Sequence, residues 1–192
     1  RLGVLGPVEA AVEADRARGG RFHEVVGEGA QHPGLQAVFG EGPDDARIVL
    51  VGEQPGDRED LIGRPFVGPA GEVLDRALAE AGIDRGALYL TNAVKHFRFE
   101  MRGKRRLHRN PERAHVAACA GWLDAELALL KPEIIVCLGA IAATRVFGPK
   151  FALMKNRGVW QTRDDGTRAL ATVHPSFVLR QLDLTRVQAC EA

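Results

Sequence analysis

Four short apolar runs along the chain predict buried β-strands. They cover residues 48–51, 88–94, 134–138 and 170–173, and the first run ends at Gly52. Near-continuous apolar runs are typical of strands that are covered on both faces, as they are in parallel sheets. We therefore predict a mainly parallel sheet of four strands at the centre of the protein.

Helical periodicity fills the intervals between these runs. Residues 71–81 place apolar side chains on one helical stripe, and residues 140–147 predict a shorter helix. Asn110 followed by Pro111 is typical of a helix start, and this helix is predicted to continue to Leu130. Its predicted buried positions are Ala118, Trp122, Ala125 and Leu129. Strands that alternate with helices indicate an α/β fold, here a three-layer α/β/α sandwich.

Length and composition favour one folded domain. The chain has 192 residues, 45% of them hydrophobic and 27% charged, so we expect a single domain over residues 1–192. Residues 1–44 are poorly patterned, and residues 45–180 form the predicted core. No apolar run approaches the roughly 18 residues of a membrane helix, and the first residues lack the apolar core of a signal peptide. Three scattered cysteines suit a reducing compartment, so we expect a cytoplasmic protein without a membrane partner.

The positive charge is concentrated in one segment. Residues 98–113 contain seven Lys or Arg and two Glu, a net charge of +5, whereas the whole chain carries +1. The rest of the chain is therefore slightly acidic. A solvated surface is one explanation of such a run, and binding of a phosphate backbone is the other. A nucleic acid is thus a candidate partner.

Polar residues follow three of the predicted strands. Glu53 and Gln54 come after the first strand, Asn92 ends the second, and His174 follows the fourth. Each has an ordinary explanation, as a loop acid, a turn former or a structural histidine. Because open α/β sheets bind ligands at the carboxyl ends of their strands, the shared position of these residues predicts a site. Neither G-x-G-x-x-G nor G-x-x-x-x-G-K-[ST] occurs, so no nucleotide fingerprint identifies the ligand.

Four ordered motifs resemble those of the uracil-DNA glycosylase superfamily. They are GEQPG at residues 52–56, GRPFVGPAG at 63–71, TNAVKH at 91–96 and HPSFVLR at 174–180. The iron–sulfur, family-four type is the most similar, and GKRRLH at residues 103–108 resembles the inserted basic loop of its relative, the UdgX branch. The resemblance covers most of the chain and implies the α/β/α sandwich of these enzymes.

The resemblance also implies how a substrate would be bound. Phe66 would stack on a uracil flipped out of DNA, and Asn92 would hydrogen-bond its Watson–Crick edge. Glu53 would lie beside the sugar, and His174 would stabilise the developing anion on the base. The other implied substrate-binding residues are Gly52, Gln54, Asp57 and Ser176. The implied contacts to the DNA backbone are Lys104, Arg105, Arg106 and Arg180.

His108 separates the reactions that the resemblance allows. In the UdgX branch the matching histidine attacks the sugar C1′ and remains bound, which implies a DNA-repair enzyme with catalytic residues His108, Glu53 and His174. A glycosylase that turns over with water, and a non-catalytic uracil- or DNA-binding module, are the alternatives. The basic neighbours of His108 and the helix start at Asn110 disfavour the imidazolium form, so we expect a neutral ring at pH 7.

The implied partner is uracil-containing DNA. We expect a preference for single strands and a protein that acts as a monomer. In a bacterial-type cell it would be associated with the nucleoid when bound to DNA.

The sequence leaves two possibilities for a cofactor. Family-four enzymes hold a [4Fe–4S] cluster, and Cys119 and His96 match two of its ligand positions. The N-terminal cysteine pair is missing, because its positions hold Val25 and Glu28. The chain is therefore either a relative without a cluster or one with other N-terminal ligands.

Overall fold

The computed structural model describes residues 36–181, and most of the predicted N-terminal segment lies outside this range. The strands are β1 (Ile48–Gly52), β2 (Leu88–Asn92), β3 (Phe99–Arg102), β4 (Arg105–His108), β5 (Ile134–Leu138), β6 (Gln161–Thr162) and β7 (Arg168–Thr172). The helices are α1 (Asp57–Ile62), α2 (Pro69–Glu80), α3 (Arg113–Leu130), α4 (Ala140–Phe147) and α5 (Leu153–Asn156). A 3₁₀ helix covers Arg85–Ala87, and a further helical segment covers residues 175–181. In the described part of the chain, no helix is both long and apolar enough to cross a membrane.

The main sheet has five strands in the order β2-β1-β5-β7-β6. The first four are parallel, which confirms the predicted mainly parallel sheet of four strands. Strand β6 adds a short antiparallel edge beside β7. Its two residues, Gln161 and Thr162, are too few to show an alternating pattern, so the sequence did not predict this strand.

Helices cover both faces of the sheet. Successive side chains of a strand point to opposite faces, and β1 accordingly contributes to two apolar clusters. Val49 and Val51 pack with Leu123 of α3 on one face. Leu50 packs with Leu78 of α2 on the other. This arrangement confirms the predicted three-layer α/β/α sandwich.

Helix α3 begins and faces the core differently from the prediction. It starts at Arg113 with Glu112 at the N-cap position, rather than at Asn110. Its buried residues are Cys119, Leu123 and Glu126. Leu129, which was predicted to be buried, is 47% exposed. The buried Glu126 explains the error, because its side chain pairs with a lysine far along the chain and a polar residue gives no apolar periodicity.

The basic segment folds as an antiparallel hairpin rather than as a loop. Strands β3 and β4 form a separate two-stranded sheet, and the turn between them contains Gly103. Phe99 lies opposite His108 at the open end of this hairpin. His108 therefore occupies the last position of a strand, where the backbone fixes its direction.

Candidate active site

A cavity of about 770 Å³ opens at the carboxyl edge of the parallel sheet. It brings together the three predicted catalytic residues, Glu53, His108 and His174. It is also lined by Arg180 and by the predicted substrate-binding residues Gln54, Asp57, Phe66, Asn92 and Ser176. Gly52, the three basic residues Lys104, Arg105 and Arg106, and the candidate metal ligands His96 and Cys119 do not line it.

Gly52 acts on the site through its lack of a side chain. A Cβ atom at this position would lie 2.3 Å from Asn92 Oδ1 and 2.6 Å from Phe66 Cζ. Real side chains do not tolerate such distances, so glycine is required for Asn92 and Phe66 to approach each other at the end of β1. Asn92 and Phe66 line the cavity and are only 3% and 5% exposed, so both side chains are tightly packed.

Phe66 is held in a conformation that bulky residues rarely adopt. Its backbone φ of 54° lies in the left-handed region, which is strained for a residue with a large side chain. Arg85 donates a hydrogen bond of 3.2 Å to the Phe66 carbonyl oxygen. The Phe66 ring stacks against the His174 ring with centroids 6.2 Å apart. The strained backbone thus presents one aromatic ring to the cavity beside an imidazole.

Glu53 is a largely desolvated carboxylate at the end of β1. Its Oε1 accepts a hydrogen bond of 3.3 Å from the backbone N–H of Ile141, near the start of α4. Burial raises the pKa of Glu53, while the N–H groups of Ile141 and Ala140 and the charge of Arg180 act in the opposite direction. Gly139 makes this approach possible, because a Cβ there would lie 2.3 Å from Glu53 Oε1.

His174 is held as a neutral hydrogen-bond donor. Its Nδ1 accepts a hydrogen bond of 3.2 Å from the backbone N–H of Ser176 and lies 2.9 Å from Ser176 Oγ. A backbone N–H can only donate, so the proton of the neutral ring is on Nε2. Burial, followed by the charges of His108 and Arg180, lowers the pKa of His174 to about 4. At neutral pH the ring can therefore donate to a negative oxygen without itself being charged.

The low pKa of His174 predicts a pH-dependent stability. The folded protein holds this ring neutral with a pKa of about 4, below the ordinary 6.5, so the unfolded chain binds the extra proton first. The stabilisation that results from keeping the His174 ring neutral is fully present above pH 6.5. It is lost as the pH falls towards 4. Since one pKa unit is about 1.4 kcal/mol, wild type should lose about 2 to 3 kcal/mol more unfolding free energy than His174→Asn between pH 7 and pH 4.5.

Urea unfolding at the two pH values measures this difference directly. An NMR titration of the His174 ring in the folded protein gives a second reading. Equal losses of stability in the two proteins, or a ring that titrates near 6.5, would contradict the assignment.

Gln54 connects the hairpin to the cavity. Its Oε1 accepts from the backbone N–H of Arg98 at 3.2 Å, and its Nε2 donates to the Arg109 carbonyl at 2.9 Å. The same Nε2 lies 2.8 Å from His108 Nε2. Since the amide nitrogen can only donate, His108 Nε2 is the acceptor and carries a lone pair. Gln54 thus holds His108 in the tautomer whose Nε2 carries the lone pair, and this hydrogen bond must break before Nε2 can act as a nucleophile.

The expected neutral state of His108 agrees with the direction of its pKa, but the cause differs from the expectation. Burial is the largest effect that lowers the pKa, although the residue remains exposed towards the open cavity, and Arg180 lowers it further. The expected effect of a helix start at Asn110 is not among these causes, and the N-cap of α3 is Glu112, two residues further along the chain.

Three cations of the basic segment are paired within the protein. Arg106 forms ion pairs of 2.5 Å with Asp57 and 2.6 Å with the fully buried Asp60, and its guanidinium lies over the rings of Phe97 and Phe99. Arg98 pairs with Glu112, and Arg109 pairs with Glu100. Lys104 and Arg105 are exposed at the turn of the hairpin. Fewer positive charges of this segment are therefore available to a ligand than its net charge of +5 indicates.

Two of the four ligands that a cubane cluster requires have candidates in the described residues, namely Cys119 and His96. The Cys119 thiol is buried, accepts from the Lys95 backbone N–H at 3.4 Å and has a pKa raised by burial. His96 follows Lys95 directly in the chain. Over residues 36–181 no group of three or more His, Cys, Asp or Glu side chains could hold a metal ion, whereas a cubane cluster requires four ligands. Positions 25 and 28 lie outside the described residues, and no step of the chemistry below passes through a cluster.

Lys95 and Glu126 form a buried ion pair behind Asn92, which the sequence did not predict. Lys95 Nζ donates to Glu126 Oε2 at 2.6 Å, to Thr91 Oγ1 at 2.7 Å and to the Asn92 carbonyl at 3.0 Å. The Lys95 and Glu126 side chains are 0% and 1% exposed. Burial lowers the pKa of Lys95, and Glu126 opposes this effect. The pair stabilises the strand end that carries Asn92, and no periodic pattern in the sequence indicates it.

Comparison with known proteins gives the family. The family model of the uracil DNA glycosylase superfamily matches residues 39–191. A type-4 uracil-DNA glycosylase of Thermotoga maritima is 42% identical over 144 residues, which are 74% of this chain and 71% of the relative. A type-4 enzyme of Sulfurisphaera tokodaii is 35% identical over 159 residues, which are 79% of this chain and 69% of the relative. A type-5 uracil-DNA glycosylase of Thermus thermophilus is 32% identical over 178 residues. This match covers 80% of this chain and 77% of the relative. The chain belongs to the uracil-DNA glycosylase superfamily.

Proposed function

We propose that this protein is a uracil-DNA glycosylase that excises uracil and becomes covalently joined to the sugar C1′ through His108. The type-4 relatives support the glycosylase activity. The observation that carries the covalent step is that His108, with a lone pair on Nε2, lines the same cavity as Glu53 and His174. A nucleophile in this position competes with water for C1′.

The cavity suits a base that has been flipped out of DNA. An enzyme that acts on a glycosidic bond inside a duplex must extrude the nucleotide into a pocket. The ring of Phe66 offers a stacking surface, and the Asn92 amide can both donate to and accept from the Watson–Crick edge of uracil. The neutral His174 ring offers an N–H to the uracil O2. Together these groups would select and orient one base.

In the proposed reaction, the bond between C1′ and uracil N1 breaks, and its electron pair leaves with the base. His174 stabilises the resulting negative charge through its Nε2–H, and the Glu53 carboxylate stabilises the positive charge that develops at C1′. His108 Nε2 gives up the hydrogen bond that it accepts from Gln54 Nε2, and its lone pair then forms the bond to C1′. The alkylated imidazole becomes neutral when its Nδ1 proton is transferred to the uracil anion or to solvent.

One gel separates the three candidate outcomes. The protein is incubated with a uracil-containing single-stranded oligonucleotide, its duplex, and a thymine-containing control, and the products are resolved under denaturing conditions. A heat-stable, shifted band that requires uracil supports the covalent reaction. An alkali-labile strand without a shifted band would mean that water is the nucleophile, and intact DNA would leave only a binding module.

We also assign Arg106 a positioning role, in place of the phosphate contact predicted from its basic neighbours. A two-stranded hairpin by itself is only marginally stable in water, and within residues 36–181 this one forms a sheet separate from the main sheet. Gln54 holds its open end, and the ion pairs of Arg106 with Asp57 and Asp60 hold its side against α1. Arg106 is two residues from His108, so these contacts support a role in fixing the nucleophile.

Arg106→Ala is expected to separate adduct formation from DNA binding. A displacement of about 1 Å in a reacting group can cost about 10²-fold, so the adduct should form about 10²-fold more slowly while uracil release continues. The salt dependence of DNA binding should not change. The matched control is Lys104→Ala with Arg105→Ala, which should lower the log–log salt slope by about 0.7 per lost phosphate contact on single strands and leave the adduct rate at saturating DNA intact.

Arg106→Lys provides a second test, because it retains the charge and loses the two-sided geometry of the guanidinium. It should resemble Arg106→Ala in the adduct rate. A lower salt slope in Arg106→Ala, with an unchanged adduct rate in both Arg106 variants, would restore the role in DNA binding.

A further inference from the structure

A second surface reaches the rim of the cavity from outside the hairpin. Leu153 and Met154 of α5 line the cavity. Met154 is 68% exposed, more than any other large hydrophobic residue in the part of the chain that the structure describes. A flexible thioether that is this exposed at the rim of the cavity contributes little packing to the folded protein. It is placed to contact something that enters.

The residues around Met154 are basic and contain no acid. Between residues 148 and 157 the charged side chains are Lys150, Lys155 and Arg157, and the segment has neither Asp nor Glu. All three side chains are exposed. Among the ion pairs of residues 36–181 none includes any of them. In contrast to Arg98, Arg106 and Arg109 of the hairpin, these cations keep their charge available.

We propose that residues 150–157 form a second DNA-contact surface, on which the single strand continues beyond the flipped nucleotide. Lys150, Lys155 and Arg157 bind its phosphates, and Met154 packs against the base next to the flipped uracil. The inference rests on the proposed function, in that the cavity receives a uracil from DNA. Sulfur–aromatic contact is favourable with any base, so such a surface binds without reading sequence.

The electrostatic part of the proposal is tested with a DNA strand that lacks uracil. Affinity is measured over a range of salt concentrations for wild type and for the triple variant Lys150→Ala, Lys155→Ala, Arg157→Ala. Loss of three phosphate contacts should lower the log–log slope by about 2. The control is Arg76→Ala with Lys131→Ala, which removes two exposed cations that lie elsewhere in the chain, form none of the ion pairs of residues 36–181 and do not line the cavity. A slope that falls no further per removed charge than in the control would overturn the proposal.

The packing of Met154 is tested by a double-mutant cycle on the rate of uracil release at limiting protein. Met154→Ala should lower this rate about twofold to tenfold on normal single-stranded DNA. It should have no effect on DNA in which both bases beside the uracil are replaced by abasic analogues. Val159→Ala, which removes an exposed apolar side chain away from the cavity, is the matched control. An equal loss on both DNAs, or none on either, would overturn the contact.

The two proposals fail in different ways. If wild type releases no uracil, the proposed function is wrong, and the slope measured with uracil-free DNA still decides whether residues 150–157 bind phosphates. If wild type releases uracil and the triple variant retains the wild-type slope, the function stands and the second surface is wrong.

Discussion

Replacing His108 by Ala is expected to abolish the covalent adduct while the protein still folds and binds DNA. His108 is the only residue proposed to form a bond to C1′, so its removal should eliminate the shifted band rather than weaken it. The cavity and its groups for base recognition remain in place, and water can enter the space that the ring leaves. His108→Ser should therefore still release uracil, and its product should be an ordinary abasic site.

Denaturing gels and a uracil-release assay on the same samples measure both outcomes. His115→Ala is the matched control, because His115 lies on α3, contacts the backbone N–H of Glu112 and does not line the cavity. It should crosslink like wild type. An undiminished adduct in His108→Ala would assign the nucleophile to another residue.

The sheet and the catalytic edge could be predicted because their signals are local. Each of the strands β1, β2, β5 and β7 corresponds to a run of apolar residues that are consecutive or nearly consecutive in the sequence. Because parallel sheets bind ligands at the carboxyl ends of their strands, the sequence alone predicts that Glu53, Asn92 and His174 share one site. The cavity contains all three.

The roles of the charged residues could not be predicted, because they depend on partners far away in sequence. Arg105 and Arg106 are adjacent and chemically identical, yet only Arg106 meets Asp57 and Asp60, more than 40 residues earlier. Lys95 and Glu126 are 31 residues apart. A long-range ion pair leaves no periodic pattern, so the sequence could count these charges but could not distinguish paired from available ones.

The hairpin was missed for a different reason. Phe99, Glu100, Met101 and Arg102 alternate between apolar and polar, which is a strand signal. The dense positive charge that follows is typical of a solvated or ligand-binding loop, and a four-residue alternation is a weak signal beside it. The resemblance to a basic loop reinforced the same interpretation. The hairpin changes the mechanism, because its paired backbone gives His108 a fixed direction.

Glu53→Gln is expected to slow uracil release and adduct formation together, by about 10² to 10³-fold, the usual effect of removing one preorganised electrostatic group. Glutamine has nearly the same shape, which matters because Gly139 leaves no spare room beside Oε1. It can still accept the hydrogen bond from Ile141 N–H. What is lost is the negative charge beside C1′. Affinity for uracil-containing DNA should therefore remain near that of wild type.

Single-turnover kinetics of both steps distinguish this role from that of His108. A His108 variant should separate the two readouts, whereas Glu53→Gln should lower them by the same factor, because both follow the same bond cleavage. Glu72→Gln is the control, since Glu72 is an exposed carboxylate paired with Arg58 and does not line the cavity. A Glu53→Gln protein that crosslinks at the wild-type rate would remove this carboxylate from the mechanism.

The pH profile supplies an independent test of the same charge. Burial raises the pKa of Glu53, so the wild-type cleavage rate should decline as the pH falls through that raised value, at a higher pH than for an exposed glutamate. The decline reflects protonation of the carboxylate, so Glu53→Gln should lack it and remain uniformly slow. The pKa of His108 is shifted downwards, and its protonation at lower pH should suppress the adduct without suppressing uracil release. If the acidic decline persists unchanged in Glu53→Gln, the titrating group is another one and the carboxylate does not stabilise C1′.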